Sequence, residues 1–111
     1  MKIILSLLSL SILFSAGCVV HEYKVIGQDL HIYLKDKKAE KVYVLCSLDA
    51  YKPRQATETG DGTWETVLPS NEEFRYFYLV DNEILIPACD MKEEDDFGSE
   101  NCVYNPLLGM K

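Results

Sequence analysis

The stretch Phe74-Arg75-Tyr76-Phe77-Tyr78-Leu79-Val80 puts four aromatic rings into five positions. Alternate residues of an extended chain share a face. Phe74, Tyr76, Tyr78 and Val80 therefore line one side, with Phe77 and Leu79 on the other. A strand apolar on both sides is either covered twice or carries a binding patch on its outer face. Asp81-Asn82 then reads as a turn, because asparagine tolerates the positive φ that glycine usually supplies.

The rest of the chain repeats this grammar. "DLHIYLK" alternates Leu30, Ile32 and Leu34 with His31, Tyr33 and Lys35, the pattern of a half-buried strand. "KVYVLC" (41–46) is β-branched and aromatic, hence a second strand. "SLDAYKPRQATETGDG" reads as a long polar loop closing on Gly60-Asp61-Gly62. "TWETVL" is a third strand, the aromatic stretch a fourth, and "EILI" a short fifth ended by Pro87. An acidic segment then leads to a final short strand. No segment carries a helical period, and several short strands at this spacing predict an all-β antiparallel sandwich.

The first residues serve another purpose. Met1-Lys2 precedes an apolar run from Ile3 to Phe14, interrupted only by serines. A spanning helix needs ~20 apolar residues, so residues 1–17 are read as a signal peptide. The exit Ser15-Ala16-Gly17-Cys18 resembles the bacterial lipobox, with Ser15 where leucine is usual. It implies Cys18 as a lipid-attachment site. One acyl chain holds a membrane marginally, and two or more hold it stably. Val19 is not the aspartate that retains some lipoproteins at the inner membrane, so the expected location is the bacterial cell envelope at the outer membrane. The alternative is ordinary cleavage after Gly17, leaving a secreted protein with a free cysteine.

Beyond residue 17 the 94 remaining residues hold 10 basic and 18 acidic groups, a net charge near −8. That balance excludes nucleic acid, where basic stripes supply most of the affinity. It also places the burden of membrane attachment on Cys18. The length suits a short lead-in (18–28) and one domain (29–111). Three further cysteines allow one bridge and one spare thiol. Cys89–Cys102 is preferred because it closes an irregular acidic segment, while Cys46, ending a strand, is an alternative partner for Cys102.

In order, these features resemble the early-set, immunoglobulin-like domain found before the barrel of isoamylases and branching enzymes. The same domain serves as the glycogen-binding module of AMP-activated kinase β subunits. Val42-Tyr43-Val44-Leu45, Asp61-Gly62-Thr63-Trp64, Tyr76-Phe77-Tyr78-Leu79-Val80-Asp81-Asn82, Pro87 and Asp96-Phe97-Gly98-Ser99-Glu100-Asn101-Cys102-Val103 carry the resemblance. It implies an α-glucan site built from two tryptophans, a lysine and an asparagine. At those positions stand Tyr51, a smaller platform; Ile84, with no π face; Phe77, which cannot donate to a hydroxyl; and Asn101, which is kept. Trp64 has two readings, core or rim against ligand platform, and stays a candidate.

The resemblance therefore implies a non-catalytic module whose degenerate sugar site meets an envelope protein. The second reading is a working carbohydrate-binding lipoprotein for α-glucan or a surface polysaccharide. Catalysis in the related enzymes lives in the barrel, and no nucleophile–base pair stands out here, so no enzyme is expected. His21 and His31 lack ligand spacing, and Lys92-Glu93-Glu94-Asp95-Asp96 lacks the alternating ligands of an EF-hand. No metal or other cofactor is expected.

Overall fold

The computed structural model describes residues 20–95 and 98–107. The expected signal peptide (1–17) and Cys18 lie outside the described residues, as do Asp96 and Phe97. Among the described residues ten strands form: β1 (Val20–Ile26), β2 (Asp29–Lys35), β3 (Val42–Cys46), β4 (Arg54–Gln55), β5 (Thr57–Gly60), β6 (Thr63–Pro69), β7 (Phe74–Val80), β8 (Glu83–Leu85), β9 (Lys92–Glu94) and β10 (Glu100–Tyr104). One sheet runs β1-β2-β6-β5; the other runs β4-β3-β7-β10-β9, with β8 also on β7. Every pairing is antiparallel. The two sheets make a small all-β sandwich compatible with an immunoglobulin-like fold.

The inward sets are those that the alternation marks. Leu30, Ile32 and Leu34 of β2 face Val42, Val44 and Cys46 of β3 and Phe74, Tyr76 and Tyr78 of β7 across the core. Removing such side chains from water, at about 25 cal/mol per Å² of apolar area, is the main drive for closing the sheets. Asp81 and Asn82 both take positive φ, 48° and 69°, the two left-handed residues that a tight hairpin of matching twist requires. Asp81 does more than turn the chain. Its carboxylate accepts the backbone N–H groups of Glu40 (3.0 Å) and Lys41 (2.8 Å), tying the β2–β3 connection to the β7–β8 hairpin. At Gly62 (φ 77°) a Cβ would stand 2.7 Å from the Lys37 backbone, so only glycine fits that turn.

Four strands differ from the sequence reading. Residues 20–26, within the expected lead-in, form β1 and pair along their whole length with β2. The loop over residues 47–62 contains a 3₁₀ turn (Ser47–Asp49), β4 and β5, and the acidic segment contains β9. All are peripheral strands held mainly by backbone hydrogen bonds, with few buried side chains to leave a pattern.

β1 still turns His21 and Tyr23 inward. The His21 ring lies 5.9 Å from that of Tyr76 and 5.6 Å, edge-on, from that of Tyr78, and Tyr76 Oη sits 3.4 Å from His21 Nε2. Burial lowers the His21 pKa from 6.5 to about 4, against a smaller opposing pull from Asp90. The unfolded chain binds a proton there near pH 6.5 and the folded chain does not. The stability from neutral His21 is complete above pH 6.5 and drains away as pH falls toward 4. Urea titrations are expected to show about 2 kcal/mol less stability at pH 5 than at pH 7.5, a difference that His21→Phe removes. The Glu65 and Asp49 carboxyls are held below their ordinary range by hydrogen bonds from His31 and Arg54, so their acid sensitivity falls at lower pH.

Candidate functional site

The second face of β7 builds the candidate site. Phe77 and Leu79 point away from the core, where Leu45 and Tyr43 of β3 stand directly opposite them. On the other side of β7, Ile84 pairs with Leu79. This gives an apolar row across three strands on the outer surface of the second sheet. Ile84, at its edge, is 69% exposed. Between it and β10 lies a groove of about 470 Å³ lined by Phe77, Ile84 and Ile86 on the apolar side and by Ser99, Glu100 and Asn101 on the polar side.

Tyr51 reaches the same face from a strained turn. Ala50 and Tyr51 have φ of 59° and 61°, the left-handed region that side chains with a Cβ avoid. The Tyr51 N–H donates to Cys46 O at 2.9 Å and closes the turn. The ring then stacks on Phe77, centroids 5.9 Å apart and planes 25° from parallel. Two consecutive left-handed residues cost on the order of 1 kcal/mol each. Ala50→Gly removes one of these penalties and is expected to raise stability by about 0.5 kcal/mol in urea melts, since glycine's extra unfolded-state entropy returns part of the gain.

The structure thus brings Tyr51, Phe77 and Ile84 to one surface, with Asn101, largely buried, lining the adjoining groove. Trp64 is elsewhere: it points into the core from β6 of the other sheet, is 7% exposed, and donates Nε1–H to Asp36 O at 3.3 Å. Its place is packing, because inward alternation with Thr66 and Leu68 decides its direction. Leu45, Tyr43 and Ile86 extend the face beyond the residues marked from the sequence. Their signal was present in the period-two pattern, since each lies two residues from another outward apolar position.

The three described cysteines resolve as one bridge and one thiol. Cys89 and Cys102 are disulfide-bonded with Cα atoms 5.9 Å apart. Cys46 is a free buried cysteine whose thiol pKa is pushed up mainly by burial. Cys46 and Cys102 both pair with Tyr76, from opposite sides. Two strand spacings, about 10 Å, separate them, beyond disulfide reach.

On the outer face of the first sheet, His31 Nδ1 meets Glu65 Oε2 at 2.9 Å and stacks beside Tyr33. Among the described residues no group of three His, Cys, Asp or Glu side chains is placed to hold a metal ion. No described helix is long and apolar enough to cross a membrane.

Fold and site together define a small antiparallel sandwich that presents an apolar, polar-edged groove on one sheet. The sequence matches no family model, and no curated protein matches it.

Proposed function

We propose that the chain is a non-catalytic, exported, lipid-anchored module of the cell envelope whose Tyr51–Phe77–Ile84 face docks a protein partner. The observation that carries this reading is the composition of that face. Its centre is apolar side chains from three strands, its edge is Asn101 and Glu100, and its most prominent residue is an exposed isoleucine. An apolar centre with a polar rim is the anatomy of a protein interface. A sugar platform needs open aromatic faces and donors placed for hydroxyls. Here Phe77 takes one face of Tyr51.

A photo-activatable cross-linker at position 84 tests this in living cells. A discrete protein adduct is expected, and Phe77→Lys removes it while lowering stability by only about 1 kcal/mol. The second reading, a carbohydrate-binding lipoprotein, rests on Tyr51 and the retained Asn101. It predicts retardation in native gels cast with glycogen or amylopectin, abolished by Tyr51→Ala. Retardation of that kind without an adduct would replace the first reading by the second.

A further inference from the structure

A cleft of about 480 Å³ opens at the end of the sandwich where β1 begins, lined by Val20, Thr63, the lysines 35, 37 and 38, and the carboxylates Asp36 and Asp61. Its place follows from register: Val20 and Thr63 are both Cα partners of Lys35, from either side. In an acidic chain this end gathers lysines among carboxylates. Four of the eight lysines after residue 19 fall between residues 35 and 41. Lys35 is engaged by Glu22 at 3.4 Å. Asp36 turns back on its own turn, accepting the Lys38 backbone N–H at 3.0 Å. Lys37 and Lys38 are exposed and make no ion pair within the described residues, with Asp36 and Asp61 as the carboxylates of the cleft.

Cys18 precedes Val20 by two residues, and two residues span at most ~7 Å of extended chain. A lipid on Cys18 therefore holds this end of the sandwich against the bilayer with no linker to free it. We infer that the Lys35–Lys38 end is a membrane-facing surface, with Lys37 and Lys38 taking the phosphates of anionic headgroups in the bilayer that carries the anchor. The inference rests on the lipid-anchor reading above. The lysines orient the domain and the lipid attaches it, which is consistent with an overall charge too negative for electrostatic attachment alone. With that end seated, β1 leaves the membrane, and the apolar row from Ile84 through Phe77 to Tyr51 runs outward toward a partner.

The experiment uses the processed full chain, whose intact mass reports acylation at Cys18 against a Cys18→Ser control. The protein is placed in vesicles of phosphatidylcholine alone or mixed with phosphatidylglycerol, and lysines are modified with a water-soluble acylating reagent. Lys37 and Lys38 are expected to lose modification several-fold in the anionic vesicles relative to the neutral ones, while Lys52 at the opposite end stays constant. Protection should vanish near 1 M salt, where the screening length is ~3 Å. Lys37→Glu with Lys38→Glu should erase the difference between vesicles without changing acylation. Equal modification in the two vesicle types overturns the proposal. Absence of an acyl mass sinks the anchor reading by itself; a maleimide lipid coupled to Cys18 then supplies the tether, and the same comparison decides the surface.

Discussion

Replacing Tyr76 by alanine is expected to cost about 4 kcal/mol, the largest effect of any single substitution considered for this chain. The ring is 0% exposed at the centre of β7. Cys46 and Cys102 flank it on the neighbouring strands, and the rings of Phe74, Tyr78 and His21 lie 5.7, 6.4 and 5.9 Å away. Alanine would leave a cavity bounded by strands that are already paired and cannot collapse into it. A domain of this size holds roughly 5–15 kcal/mol in total, so the variant should melt about 20 °C lower. Tyr76→Phe separates the ring from its hydroxyl. It forfeits only the contact with His21 and should cost about 1 kcal/mol. Thermal and urea unfolding of both variants decide the matter. If Tyr76→Ala loses less than Tyr76→Phe, the ring is not the packing centre.

Reducing the Cys89–Cys102 bridge is expected to remove about 3 kcal/mol, the chain-entropy value for a loop of this length. The bridge joins residues 13 apart and closes over β9, whose three residues are all exposed. That strand is held by its pairing with β10 and by the Val103 N–H to Met91 O hydrogen bond (2.9 Å), with little apolar burial to assist. Loss of the bridge should therefore act twice. Global stability falls in urea, and amide exchange accelerates in residues 91–95 before it does in β7. Oxidised and reduced protein with matching urea midpoints would show that the acidic segment is ordered without its covalent closure.

How far the fold could be read from the chain depended on where side chains make it and where backbone does. Leu30, Ile32 and Leu34 alternate with polar residues, and so β2 was plain. Asn82 at a hairpin tip was plain for a similar reason, because few residues tolerate positive φ. β1 was hidden, since its inward residues are His21 and Tyr23, which carry polar tips and do not read as a hydrophobic face. β9 had no side-chain pattern at all. Among the site residues, Phe77 was marked as outward by alternation and Ile84 by the resemblance, but their meeting with Tyr51 depends on two left-handed residues at 50 and 51 that no local pattern announces.

By itself, then, the sequence determined the class of fold, the inward and outward faces of β2 and β7, and the acidic character from which no nucleic-acid partner was expected. Period-two patterning and formal charge are local properties, legible one segment at a time. Only the tertiary structure decided that Trp64 is core, that Cys46 cannot reach Cys102 across Tyr76, that Asp81 clamps the β2–β3 connection, and that the free lysines gather beside Val20. Each of these depends on which strands become neighbours. Neighbours are chosen by burial and hydrogen bonding between segments distant in the chain, a property of the whole assembly that no single stretch encodes.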